Sequence, residues 1–417
     1  MKPRDAKAPL IAYSTNVHRC ETLAHMYKFL RRFTLPIRDR VFPKQAGGLE
    51  LRIGIETARA LTPVSARREF ADFLASNNLF VFSINAFPLL DFHAKRVKEQ
   101  VYRPSWAEAD RHRWTNKIAT IFADLLPDGM TGSLSTSGGA YRRLGHDPRT
   151  FERLAHGYLK TLEKLVEIER NTGKTIILAA EPEPETTFET SRDVIEFFEG
   201  YLWPAARSSW KGRPQAIEER LRKFFTVNVD TCHFSVLFED LIDSLAQLRR
   251  AGIRVGKLHV TNAIRLRNPF ERPAAYADFR GMDEPRYFHQ SCGVNAFGRV
   301  AWRELDLNRM PRTLKRGRDP AVAELRSHYH VPLYMNRWKR VETTQDETRD
   351  AVLEVLRRRD TSHLVIETYT WPILQSEDKL VTGITKEFRW LLSVLDELKL
   401  TRSRKGTGRR DRKHRGK

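Results

Sequence analysis

Four residues of metal-binding type each end a short apolar run: Glu181 after Thr175-Ile-Ile-Leu-Ala-Ala, Asp230 after Phe225-Thr-Val-Asn-Val, His259 after Val255-Gly-Lys-Leu and Glu367 after His363-Leu-Val-Ile. Runs of this length and composition read as buried strands. An acidic residue in that place often caps the next helix, and a single histidine is more often structural than a ligand. The four together carry a stronger implication. Three carboxylates and an imidazole, without a thiolate, suit one divalent ion such as Mn²⁺, Mg²⁺, Co²⁺ or Zn²⁺. In a closed parallel barrel the C-terminal strand ends surround one mouth, so residues far apart in sequence meet there.

The elements that must position them follow from the rest of the chain. Pro9–Tyr13, Leu51–Ile55, Leu79–Asn85 and Gly132–Thr136 are expected as strands before the four above, which makes eight. Helical patterns fall between them at Val64–Ala75, Trp106–Leu126, Pro148–Asn171, Ser191–Tyr201, Ile217–Phe224, Phe238–Ala251 and Thr344–Arg358. Eightfold strand–helix alternation predicts a single (β/α)8 barrel over residues 1–400. An open doubly wound sheet is the rival; no Gly-x-Gly-x-x-Gly follows the first strand and no Walker-type loop occurs. A long stretch before the last strand, 263–335, breaks the alternation and is expected to cover the mouth or to form an oligomer contact. Within it His328-Tyr-His-Val-Pro-Leu-Tyr334 alternates like a further strand.

Composition limits the function classes. The chain has 417 residues, 41% of them hydrophobic, with a net charge of +21. Its apolar stretches are broken well before the ~18 residues that span a bilayer. The N-terminus Met1-Lys-Pro-Arg-Asp does not resemble a signal peptide, so a cytoplasmic protein without a membrane span is expected. Cys20, Cys232 and Cys292 lack paired spacing, which supports neither a disulfide framework nor a zinc ribbon. Residues 401–417 carry nine basic residues against one acidic and are expected to form a disordered tail open to polyanion contacts. The tail lacks the aromatic interleaving that stacks bases. The sequence contains no Gly-x-Ser-x-Gly elbow and no His-Glu-x-x-His.

Further candidates surround the four. Residues two apart share a face in extended chain, so Glu183 could replace Glu181 at the mouth; Glu181, at the strand end itself, is favoured, and Glu183 is then a substrate-side residue. His233 lies three residues after Asp230 and faces the same rim. His93, His289, His328 and His330 complete the substrate-binding candidates.

The order Glu181, Asp230-Thr-Cys-His233, His259, Glu367 resembles the xylose isomerase-like barrels, which include sugar isomerases, ketose 3-epimerases and endonuclease IV-type enzymes. The resemblance implies a metal on Asp230, with His233 as substrate contact or further ligand, and Glu181 and Glu367 as proton acceptor and donor. Thr15-Asn-Val-His18, Asn85-Ala-Phe-Pro88, Asp91-Phe-His93 with Val101-Tyr-Arg-Pro104, Glu181-Pro-Glu-Pro184 and Glu367-Thr-Tyr-Thr-Trp371 resemble the EboE metabolite-traffic proteins in particular. The implied activity is metal-dependent isomerisation or epimerisation of a sugar or cyclitol-like polyol. Two alternatives stand beside it. One is an endonuclease IV-like zinc phosphodiesterase, whose additional ligands would lie at His93 and His328-x-His330; the other is a metabolite carrier without catalysis.

Overall fold

The computed structural model describes residues 8–310, 314, 322–374 and 376–410. Among the described residues fourteen strands, numbered in chain order, make two sheets. The first is wholly parallel: β1 Leu10–Tyr13, β2 Gly47–Arg52, β3 Leu79–Asn85, β4 Gly132–Ser137, β5 Ile176–Glu181, β6 Phe225–Asp230, β7 Arg254–Val260 and β14 His363–Ile366. Their order is β1-β14-β7-β6-β5-β4-β3-β2, and a parallel bridge between Ser14 and Glu50 lies at the seam between β1 and β2. Helices alternate with these strands, as the eightfold pattern predicts. Leu, Ile and Val on the outer faces of the strands pack on the helices, while the interior carries a hydrogen-bonded polar set, with Lys257 on Glu50 and Ser135 and His363 on Ser133.

The second strand is shifted from its expected position. The chain is extended over Gly47–Arg52, and Ile55 begins the helix Ile55–Ala60. The shift places Glu50 and Arg52 in the fully buried interior, where each finds a charged partner: Lys257 for Glu50 and Glu21 for Arg52. Helix ends also move. Phe238 takes a positive φ of 58°, and Asp240 caps the helix Leu241–Arg250 by accepting from Ile242 N and Asp243 N. The expected helix Ser191–Tyr201 is α-helical to Phe197 and widens into a π-turn over Phe198–Leu202.

The second sheet lies between β7 and β14 in sequence and is antiparallel. It comprises β8 Asn262–Arg267, β9 Ser291–Asn295, β10 Val300–Glu304, β11 Val322–Val331, β12 Arg337–Trp338 and β13 Val341–Thr343, in the order β10-β9-β11-β8-β13-β12. β11 ends before Pro332, which has no N–H to give a ladder. Its pairing with β8 is irregular between Ser327 and Val331. Such a break re-aims side chains, and here it spans His328 and His330. Between them Tyr329 stacks on His289 with ring centroids 4.4 Å apart.

The closing helix, Leu380–Arg410, packs on the barrel and continues into the basic segment; residues 411–417 of that segment lie outside the described residues. Glu387, buried within this helix, accepts from Thr368 Oγ1 (2.6 Å), Trp371 Nε1 (3.1 Å) and Leu333 N (3.1 Å). Among the described residues, no helix is long and apolar enough to cross a membrane. The three cysteines are buried and unpaired.

Candidate metal centre

Strand register brings the four leading residues together. Glu181 and Asp230 are the last residues of β5 and β6, and Asp230 lies opposite His259 in the β6–β7 ladder. Glu367 follows β14 and its amide donates to Val260 O (3.3 Å), which ties it to the end of β7. One ligand atom from each of Glu181, Asp230, His259 and Glu367 lies within 4.8 Å of the others, and all four residues are buried.

Asp230, Glu367 and His259 are each held by partners that leave one atom for the centre. Asp230 Oδ1 accepts from Cys232 N (2.7 Å) and His233 N (3.2 Å), capping the short helix Thr231–Val236, while Oδ2 is buried without a hydrogen-bond partner among the described residues. Capping and ligation, rival readings of this aspartate in the sequence, would thus use different oxygens. Glu367 Oε1 accepts from Asn16 Nδ2 (2.8 Å) and Asn85 Nδ2 (3.2 Å), and its Oε2 faces His259 Nδ1 at 3.2 Å. Glu181 Oε1 lies 2.9 Å from the same nitrogen, and Glu181 Oε2 also lacks a partner among the described residues.

His259 is oriented from below. Its Nε2 lies 3.1 Å from Glu50 Oε1, so the Nε2–H donates there and the Nδ1 lone pair faces the carboxylates. The Asn228 side-chain amide lies 3.0 Å from that Nδ1. Glu50 is ion-paired with Lys257, whose Nζ also donates to Ser135 Oγ (2.7 Å). Burial opposes charge on Glu50, yet Lys257 and His259 bring its pKa down to about 2, so it is a fixed anion.

The residues fit a divalent cation. An acceptor nitrogen facing acceptor oxygens at 2.9 and 3.2 Å is repulsive unless a proton or an ion lies between them. The protonation tendencies express the same demand. Burial, then Glu367 and Glu181, pushes Asp230 well above the carboxylate range, and burial raises Glu181. His259 is held well above the imidazole range by Glu367, Glu181 and Glu50 although burial opposes it. Protons here occupy positions that a metal ion would take in exchange.

A second cluster adjoins the first. His233 Nδ1 donates to Pro182 O (3.0 Å), His328 Nδ1 to Gln290 Oε1 (2.7 Å) and His330 Nδ1 to Glu367 O (2.7 Å). Each Nε2 therefore presents a lone pair, with His328 Nε2 at 3.2 Å from that of His233 and 2.9 Å from that of His330. Burial brings the pKa of His233 to about 3 and that of His330 to about 4, and drives His328 well below its usual range, so all three are neutral. Three locked, neutral imidazoles with converging lone pairs are a donor set for a borderline metal such as zinc.

The other candidates take varied places. Glu183 lines the same cavity, accepts from Tyr102 Oη (2.8 Å), and is raised to about 8 by burial, with Glu181 and Glu367 adding to the effect. His93 stands behind the cavity with Nε2 at 2.9 Å from Asn16 O, beside the asparagine that grips Glu367. His289 supports His328, with Nδ1 at 2.7 Å from His328 O and Nε2 at 3.1 Å from Glu284. The sequence reading missed Glu50, Lys257, Asn16, Asn85 and Gln290. Lys257 stands two residues before His259 in the same run, and Asn85 ends an apolar run just as the four leading residues do; those signals were available. Glu50 was hidden by the register of β2.

Neither a protein-family model nor a curated protein matches the chain. Among solved structures, a xylose isomerase-like TIM barrel protein from Mycobacterium smegmatis in complex with magnesium is similar over 94% of this chain and 97% of its own, at 13% identity and a TM-score of 0.50. An L-ribulose 3-epimerase matches over 96% of this chain and 97% of its own, at 11% identity and a TM-score of 0.47. With eight parallel strands, alternating helices and a nearly closed barrel, the chain has the fold of the xylose isomerase-like TIM barrels.

Proposed function

We propose that this protein is a divalent-metal-dependent isomerase or epimerase acting on a small polyol or hydroxyketone. The observation that carries the reading is the convergence of Glu181, Asp230, His259 and Glu367, with two buried carboxylate oxygens lacking partners among the described residues. A divalent ion held by these four would polarise a substrate carbonyl and acidify the adjacent carbon. Glu181 and Glu367 flank the centre, and the reaction needs one carboxylate to take the proton and another to return it. Asn16 and Asn85 fix the Glu367 carboxylate with Oε2 inward, so its reach toward a bound carbon is set in advance. Glu183, protonated at neutral pH, is suited to donate a hydrogen bond to a substrate oxygen. The motifs that resemble EboE proteins agree with a role in secondary metabolism.

The test is elemental analysis of the purified protein, followed by solvent deuterium exchange with ketoses and cyclitols. About one equivalent of Mn, Mg, Co or Zn, lost in Glu367→Gln and Asp230→Asn, with exchange at carbon, is the expected result. Metal content unchanged in both variants overturns the assignment. The tris-imidazole cluster supports a second reading: two or more tightly held zinc ions per chain, with cleavage of abasic-site DNA, would favour phosphodiester hydrolysis.

A further inference from the structure

The cavity over the ligand set has two unlike sides. Its floor is polar, built from the carboxylates and imidazoles described above. Its cover is carbon: Phe87, Phe92, Val97, Tyr287, Phe288 and Tyr369. The cover comes from three segments, namely the loop after β3, the stretch before β9 and the turn after β14. Phe92, Tyr287 and Tyr369 join them, with ring centroids 5.0 Å apart for Phe92–Tyr287, 5.2 Å for Phe92–Tyr369 and 4.9 Å for Tyr287–Tyr369.

Most polar atoms on this side are already engaged, and the Tyr369 hydroxyl lies 3.5 Å from His328 Nε2. Tyr287 Oη donates to Phe92 O at 3.1 Å. Tyr102 Oη donates to Glu183 (2.8 Å) and accepts from Gln290 Nε2 (3.0 Å). Lys98, the cation on the wall, is buried in an ion pair with Asp306. An open-chain sugar held by its first oxygens on the floor would press its remaining hydroxyls against these rings. Hydroxyls buried without partners are strongly disfavoured, and a carbon surface in the same place is not. A ligand seated here meets the faces and edges of these rings, which an apolar ligand surface matches.

We infer that the substrate of this site is an amphiphile, with a hydroxyketone or vicinal-diol head on the floor and an aromatic or alicyclic body beneath Phe92, Tyr287 and Phe288. This rests on the metal-dependent reading above and narrows its substrate class from polyols in general to molecules with one oxygenated end.

The experiment compares two probes that share a 1-hydroxy-2-ketone head, D-fructose and 1-hydroxy-4-phenylbutan-2-one, by calorimetric titration of the Mn²⁺-loaded protein. Bound Mn²⁺ is counted first on the same preparation, so failure to hold metal overturns the metal-centre reading and is seen separately. With metal held, the aryl ketone is expected to bind about tenfold or more tighter than fructose. Phe92→Ser should erase most of that preference without changing Mn²⁺ per chain; if that variant does not fold, Phe288→Ser makes the same measurement. Equal or tighter binding of fructose, binding of neither probe, or an aryl preference unchanged in the cover variant overturns the inference while leaving the metal centre standing.

Discussion

Replacing Glu50 by glutamine tests whether the barrel interior sets the chemistry of the mouth. The glutamine keeps the shape and an acceptor oxygen for His259 Nε2–H but removes the charge. A hydrogen bond to a charged acceptor contributes about 1.5–3 kcal/mol, against about 0.5–1.5 kcal/mol for a neutral one. The difference, about 1–1.5 kcal/mol, corresponds to roughly a tenfold loss of metal affinity. That lies at the lower edge of the ~10–100-fold effects seen when partners behind a ligating histidine are changed. Stability responds separately, because the fully buried Lys257 loses its counter-charge; breaking such a pair costs about 3–5 kcal/mol. Adding Lys257→Met to Glu50→Gln should restore most of the stability and none of the affinity. Mn²⁺ titration and urea denaturation of the wild type, single and double variants separate the two effects. Metal affinity unchanged in Glu50→Gln, or restored together with stability in the double variant, would refute the idea that Glu50 orients His259.

Other outcomes follow from the same geometry. Metal uptake should release protons, because Asp230, Glu181 and His259 all hold them more tightly than usual, so affinity should fall as pH is lowered; a pH-independent Kd would contradict this. His363, at 2.9 Å from Ser133 Oγ, is brought by burial to a pKa of about 3. Its folded value lies below the unfolded one, so its contribution is complete above about pH 6.5 and is lost as pH falls toward 3, at about 1.4 kcal/mol per pH unit. His363→Gln should flatten the acid limb of the stability curve by about that slope, measured by denaturant titration at pH 7 and pH 5. His328→Ala should lower zinc content only if the tris-imidazole cluster holds an ion, and should leave the ion at Glu181, Asp230, His259 and Glu367 in place. Gly383→Ala should destabilise the protein by about 1–3 kcal/mol, because a Cβ there would lie 1.8 Å from the Trp371 ring; an unchanged Tm would show that the closing helix can shift.

Much of the barrel was legible because buried parallel strands are short apolar runs, and the polar residue that ends each run is conspicuous. β2 was less so. Leu49, Leu51 and Ile53 alternate equally well with a strand begun at Gly47 or at Leu51, and alternating polar residues suggest an outward face. Glu50 and Arg52 instead point inward, where Lys257 and Glu21 compensate them, and a pairing that spans 207 residues has no local signature. The HxH spacing of His328 and His330 was visible, but its convergence with His233 depends on an irregularity in β11 that pairing across the second sheet creates. Tyr287 and Phe288 of the aromatic cover lie in the stretch 263–335 that the sequence marks as a cover or contact, but their meeting with Phe92 and Tyr369 was unreadable, because these rings sit on loops where no periodicity marks which side chains meet.

Glu387 has a practical consequence for anyone shortening this chain. The closing helix runs without a break toward the basic C-terminus, so a cut made to remove positive charge is easily placed too early. Thr368 and Trp371, both anchored on Glu387, belong to the turn immediately after Glu367. A truncation that keeps the helix through Leu398 preserves that anchor, whereas one ending before Glu387 would free the turn and loosen a ligand on the far side of the barrel wall. Loss of metal from such a shortened protein would therefore report on a severed brace, and would say nothing about the basic segment itself.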